Sequence, residues 1–379
     1  MKRLILWLTL FTALLALAAC AAEEKATPSP STAPTAAGKP AWEQEWERVL
    51  AAAKQEGKLS LMMPTGAATR QPLTEPFEKK YGITVEYQQG SGAEQIQKVR
   101  AERAAGQYLW DLWIGGHTDM IVAKNQGMLD PMEAALILPE VKDSKNWLGG
   151  KMEFSDNEGK FVLIMGAYSG ANIMVNTDLV DPKTITSYRD LLDPKWKGKI
   201  LMDDPRIGGS ANSSFGFFYQ NKALGPDFIK ALLAQDITYN RDNELQLQWL
   251  AQGKYPICIG CSTRRAAQMK NEGVKNIGEP GASQMKEGGT LHGGSSIVSL
   301  FNRPPHPNAT KVYINWLLTK EAQTQFLKAQ DHGSRRVDVA AEWLDASKRA
   351  NIGKDTPVYT EQFIKPIDEM RAFLDSLMR

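Results

Sequence analysis

The sequence predicts an α/β fold, and three observations predict it. Strand, loop and helix patterns follow one another three times from residue 58 onward. Short apolar runs of strand length recur at 199–202, 255–259 and 296–301. The 379 residues, 42% hydrophobic and 23% charged, make about two domains' worth of an ordinary globular chain.

Taken in order, residues 42–54 put Trp42, Trp46, Val49, Leu50 and Ala53 on one helical face, and Gly57 ends that helix. Residues 58–63 form an apolar strand, 64–67 a loop and 71–81 a helix stopped by Gly82. A second strand spans 83–87, its loop 90–92 and its helix 93–105; a third strand, 109–114, breaks at 115–118 before another helix. Such units in series require crossovers, which give a parallel sheet with helices on its faces. Ligands of these sheets bind at the carboxyl ends of the strands. Thr65, Gly66, Ser91, Gly92, Gly116 and His117 are therefore candidate ligand-binding residues. The plainer alternative is that small loop residues only satisfy turn geometry.

The start of the chain bears on compartment. Lys2 and Arg3 precede an apolar stretch at 4–19, too short and wrongly flanked for a stop-transfer helix, so residues 1–19 read as a signal peptide. Its end, Leu17-Ala18-Ala19-Cys20, resembles the lipobox of bacterial lipoproteins. That resemblance implies cleavage before Cys20 and a lipid on its sulfur; the alternative is an ordinary signal peptide that contains a cysteine. Residues 20–41, rich in Ala, Ser and Thr with Pro28, Pro30, Pro34 and Pro40, read as a flexible linker. About 20 such residues reach roughly 25 Å. The formal charge of +2, spread over the whole chain, gives no basic footprint for a nucleic-acid partner.

Three segments carry a family resemblance. They are Ala-Tyr-Ser-Gly-Ala-Asn-Ile-Met-Val-Asn-Thr at 167–177, Ser-Tyr-Arg-Asp-Leu-Leu-Asp-Pro-Lys-Trp-Lys-Gly-Lys-Ile at 187–200, and Pro-Asn-Ala-Thr-Lys-Val-Tyr-Ile-Asn-Trp-Leu-Leu at 307–318. In that order they resemble the two-lobed solute-binding proteins of ABC importers, the class that includes ferric-ion binders. The resemblance implies a two-lobed periplasmic-binding-protein-like fold, each lobe a mainly parallel sheet flanked by helices, with the ligand cleft between lobes. Residues 42–170 and 290–379 would form the first lobe and 171–289 the second, closing by hinge motion. It also implies a lipid-anchored monomer on the outer face of the cell membrane. Such a protein delivers a small solute to an ABC permease and carries neither catalytic residues nor a cofactor.

Ferric-binding relatives hold their ion with two adjacent tyrosines, a histidine and a glutamate. Counting from Gly253-Lys-Tyr-Pro256, the tyrosine positions fall at Thr263 and Arg264; the others fall near Gly66 and Gly116. A guanidinium repels a metal, so no metal is expected, although a ferric or ferric-chelate binder remains the alternative within the family. The replacements favour an anion. Gly260-Cys-Ser-Thr-Arg-Arg265 opens a helix at 266–272, and Asp204 to Asn212, through Gly209 and Ser210, opens another at 212–219. Helix amides, hydroxyls and Arg264 suit a negative charge. The alternative for Arg264 and Arg265 is a solvated basic pair, and Arg336 carries the same ambiguity. Tyr168, where the chain crosses between lobes, is a candidate for stacking on ligand or a core aromatic.

Cys258 and Cys261 read as small buried residues, with a disulfide as the alternative in an oxidising exterior. The four histidines, at 117, 292, 306 and 332, read as too scattered for a metal site. There is no Gly-x-Ser-x-Gly elbow, His-Glu-x-x-His or Walker loop. A surface sensory protein or an enzyme on the same fold are the readings from other classes.

Overall fold

The computed structural model describes residues 39–281, 284–344 and 358–378. The signal segment, Cys20 and most of the linker lie outside the described residues, as does the side chain of Arg264.

Helix α1 (Ala41–Glu56) leads into β1 (Lys58–Met63), α2 (Ala67–Tyr81), β2 (Thr84–Gln89), α3 (Gly92–Ala104), β3 (Leu112–Gly115) and α4 (His117–Asn125). Strands β2 and β3 pair parallel on either side of β1, so three carboxyl ends lie side by side. Buried Gln95 ties them together. Its Nε2 donates to Met63 O (2.8 Å) and Gln88 O (3.2 Å), and its Oε1 accepts from Trp113 Nε1 (2.7 Å). The sheet is extended by β4 (Leu129–Asp130), β5 (Glu153–Phe154), β6 (Leu163–Ile164) and, from far along the chain, β14 (Ile297–Phe301). A single turn, α5 (Pro139–Lys142), lies between β4 and β5.

Strand β1 is apolar along its length because it is buried on both faces. Leu61 and Met63 join a core with Phe77, Trp316 and Phe326, while Met62 faces Trp113, Ile297 and Phe301 on the other side. Helices α10 (Pro307–Leu317) and α11 (Lys320–Gln330) cover the first of these faces.

Three short strands carry the crossings: β7 (Gly166–Gly170), flanked by β13 (Thr290–His292) and β15 (Gly333–Ser334). Beyond them, β8 (Ile173–Asn176), β9 (Ile200–Met202), β10 (Thr238–Tyr239), β11 (Ile257–Ile259) and β12 (Ile277–Gly278) form a second sheet in the order β10-β9-β11-β8-β12. Helices α6 (Ser210–Gln220), α7 (Gly225–Leu233), α8 (Asn243–Ala251) and α9 (Thr263–Asn271) accompany it. Its strands again bury both faces, Val175 and Ile257 toward Phe215 and Phe218, Met174 and Cys258 toward Leu247 and Leu250.

Three details differ from the sequence expectation. Both sheets are mixed rather than mainly parallel, because the crossing and returning strands (β14, β6 and β5; β8 and β12) pair antiparallel with their neighbours. Residues 187–200 hold two short 3₁₀ turns, Tyr188–Leu192 and Pro194–Trp196, in place of the helix the family resemblance implied; Pro194 lacks the N–H to continue one. The span 290–379 does not all belong with the first lobe. Its C-terminal helix (Ile364–Leu377) buries Ile367, Met370 and Leu374 in the core of the second sheet, Ile367 against Gly216 of α6.

Candidate functional site

On the first sheet, the loops after β1, β2 and β3 bring Thr65, Gly66, Ser91, Gly92, Gly116 and His117 to one edge. Gln89 Nε2 donates to Pro64 O (3.2 Å) and joins the first two loops. The third joins through Asp119, whose carboxylate lies so close over Gly92 that a Cβ there would collide with it. The Ser91 hydroxyl is engaged in a capping box with Glu94, which lessens its availability to a ligand. Helices α2 and α4 begin at Gly66 and Gly116 with no side-chain cap. The positive end of each helix dipole is thus without a side-chain acceptor, although in α2 the third amide, Thr69 N, already donates to Gly66 O (3.2 Å).

The second sheet repeats the arrangement. The loops after β9 and β11 place Gly209, Ser210 and Thr263 on its edge, with Arg264 as the second residue of α9. Gly260 (φ 76°) lets these loops touch, since a Cβ there would come within 2.5 Å of Ala211 N in α6. Helix α6 also starts on a glycine without a side-chain cap, whereas Ser262 Oγ caps α9 by accepting from Arg265 N (3.3 Å).

Three residues take roles other than those the sequence suggests. Cys258 and Cys261 are joined as a disulfide and so are not two free buried thiols; the bond closes the turn from β11 into α9. Arg265 is no solvated cation: it bonds Glu244 of α8 (2.5 and 3.0 Å) and Glu272 (3.0 Å), pinning α8 to α9. The ambiguity over Arg336 also resolves. It is buried in the first lobe, held by Asp338 (2.9 Å) and Leu318 O (2.9 Å) beside the Trp147 ring.

The C-terminal segment connects the two edges. Val358 bridges Leu291, and Tyr359 N donates to Leu291 O (2.8 Å). The Tyr359 ring stands edge-on to His117 (4.5 Å) and tilted to His292 (5.3 Å), while its hydroxyl meets Ser213 of α6. From His292 the rings continue through Tyr168 (5.7 Å) to His332 (4.9 Å). Three histidines that look scattered in the sequence thus share one ring cluster at the crossing. Tyr168 stacks within it, and burial pushes its hydroxyl up to about 12. Burial holds His117 down at about 3, helped by neighbouring His292, and His292 itself at about 4. Both are neutral imidazoles at pH 7. His117 is 9% exposed, and its Nε2 has no hydrogen-bond partner.

A turn further on, Arg371 reaches the same region. Its Nη2 donates to Asn212 Oδ1 (3.1 Å) in α6, one Nη lies beside Gly208, and its buried Nε has no partner. Tyr359, Arg371 and Asp119 were not legible as site residues. The only available signal was Ile367, Met370 and Leu374 at helical spacing with Arg371 beside them, which marks a packed helix but not its place. Among the described residues, no group of three or more His, Cys, Asp and Glu is placed to hold a metal ion.

Two lobes with separate cores, joined by crossing strands and presenting facing strand edges, define a two-lobed binding protein. The chain belongs to the bacterial extracellular solute-binding proteins, whose family model matches residues 72–350. It is 24% identical over 289 residues to an uncharacterized protein of Haemophilus influenzae, covering 75% of this chain and 79% of that one. Among solved structures it resembles iron-bound HitA from Pseudomonas aeruginosa (TM-score 0.66, 17% identity, 85% of this chain and 99% of that chain). It likewise resembles AfuA from Actinobacillus pleuropneumoniae with fructose-6-phosphate bound (TM-score 0.62, 19% identity, 84% and 98%). At these identities the likeness shows the fold. No helix among the described residues is long and apolar enough to cross a membrane.

Proposed function

We propose that this solute-binding protein captures a small anionic solute between its lobes and hands it to an ABC permease, working as a monomer tethered by a lipid on Cys20. The observation that carries the ligand's sign is the set of helices α2, α4 and α6, which open onto the strand edges behind Gly66, Gly116 and Gly209 without a side-chain cap. Their first-turn amides and positive dipole ends favour an anion. Ser210 and Thr263 begin α6 and α9 on the same edge, with Arg264 the next residue of α9; hydroxyls and a guanidinium are the residue types that suit an anion. The fold serves an iron-bound protein and a sugar-phosphate-bound one alike, so the residues decide. Counted along the sequence, Thr263 and Arg264 fall at the tyrosine positions of the iron binders and the other two ligand positions fall near Gly66 and Gly116, none of which suits a ferric ion. Capture of a solute is the role that the family match supports.

A ligand that binds only the folded protein raises its melting temperature by mass action. Melting curves against a panel of organic phosphates, phosphonates and carboxylates, with ferric chelate in parallel, test the reading. One or more anions should stabilise the protein, and ferric chelate should neither stabilise it nor give a visible tyrosinate band. Stabilisation by iron with such a band, or by none of the anions, would overturn it.

A further inference from the structure

Resting on that anionic reading, a more specific assignment comes from two charged side chains that sequence patterns do not mark. Arg371 comes from the C-terminal helix. Its Nη2 bonds Asn212 on the second lobe and its Nη1 only grazes Asp368 (3.4 Å), while Nε is buried without a partner. Asp119 comes from α4 on the first lobe. It is half-buried, sits against Gly92 at the start of α3, and makes no hydrogen bond among the described residues. Asp119 feels the charge of Arg100 on α3 and, less strongly, that of Arg371, yet it closes an ion pair within 4 Å with neither. His117, two residues before Asp119 in α4 and with its own unpaired Nε2, meets the ring of Tyr359, which in turn feels the charge of Arg371.

We propose that Arg371 and Asp119 hold opposite ends of one ligand, which is an anion carrying its own hydrogen-bond donor, a hydroxyl or an ammonium. A half-buried guanidinium with an unused N–H calls for an acceptor, and a carboxylate offers only acceptors. A bare inorganic anion satisfies the first and is repelled by the second. A molecule with an anionic group at one end and a donor at the other satisfies both, and it bridges the lobes as it does so. Asp119 is then the specificity determinant and Arg371 the counter-charge. The C-terminal segment becomes a third wall of the site, contributed from beyond the two facing edges.

Equilibrium dialysis of the mature protein tests this with two sets of probes. Glycerol 3-phosphate, phosphoethanolamine, fructose 6-phosphate and citrate carry donors; methyl phosphate and acetate do not. The wild type should retain at least one donor-bearing anion in preference to methyl phosphate and acetate. Arg371→Ala should weaken that binding about 30-fold or more, and Arg371→Lys should recover part of it, each with a cooperative melting transition that certifies folding. Asp119→Asn should cost the donor-bearing probe about tenfold and leave methyl phosphate unchanged or bound more tightly. Retention of no anion by the wild type overturns the anionic reading and this assignment together. Anion binding that survives Arg371→Ala and Arg371→Lys unchanged, or that shows no preference for donor-bearing probes, overturns the assignment alone.

Discussion

Acidification should loosen this fold through the histidines at the crossing, and the size of the effect follows from their surroundings. His117 titrates near 3 and His292 near 4 in the folded protein, against 6.5 for a free imidazole, because burial disfavours the charged ring. Their folded pKa values are depressed, so the neutral folded state keeps its full advantage above about pH 6.5. Below that, the unfolded chain takes up protons that the folded one refuses. Stability is lost as pH falls from 6.5 toward 4 and 3. At pH 5 each group costs about 2 kcal/mol relative to pH 7, so the pair costs about 4 kcal/mol. Raised carboxylates such as Asp111 and Asp119 work in the opposite sense, so the clean quantity is a difference between variants. Urea unfolding of the wild type and His117→Gln at pH 7 and pH 5 isolates one histidine. The variant should lose about 2 kcal/mol less than the wild type over that interval. Equal losses in both would refute the buried, neutral placement of His117.

Other outcomes follow from the same geometry. Gly260→Ala places a methyl against Ala211 at a left-handed backbone position and should cost about 1–3 kcal/mol in urea unfolding; no shift in midpoint would mean the two loops are not in contact. Replacing both Cys258 and Cys261 with serine opens a four-residue turn and should cost about 2 kcal/mol on the loop-entropy model, read by the same assay. An unchanged midpoint would mean the bond does not form in the protein in solution. Cys20→Ser should move the protein from the membrane fraction to the soluble fraction of cells. Equal membrane retention would remove the lipid anchor from the account.

Much of the first sheet was legible, for a physical reason. Strands β1, β3 and β14 are buried on both faces over nearly their whole length, so each reads as an apolar run broken only by a serine, Ser60 in β1 and Ser299 in β14. The helices between them end on glycines. Gly66, Gly116 and Gly209 were legible as loop residues ahead of helices, but α2 and α6 begin at Ala67 and Ser210, earlier than the expected 71 and 212; a positive φ requires glycine at Gly66 (116°). What the sequence could not show was long-range pairing. The antiparallel partners of β3 and β8 come from distant parts of the chain, and nothing in a local pattern states which strand lies beside which. The same holds at the site. His117, His292 and His332 stand far apart in sequence and meet only because the crossing strands and Tyr359 bring them together. Arg265 looked like half of a solvated basic pair until Glu244 and Glu272 proved to be its partners. Arg371 sits on an amphipathic helix whose packing face was readable, while the lobe it packs on was not.

Whether the cleft holds an anion is decided by mass spectrometry of small molecules released from the denatured, freshly purified protein, with metal analysis of the same sample. One dominant compound should appear in negative-ion mode, near one equivalent per chain, carrying a phosphate, phosphonate or carboxylate together with a hydroxyl or amine, with iron far below stoichiometric. One equivalent of iron, or a stoichiometric ligand that is neutral or cationic, would contradict the anionic reading.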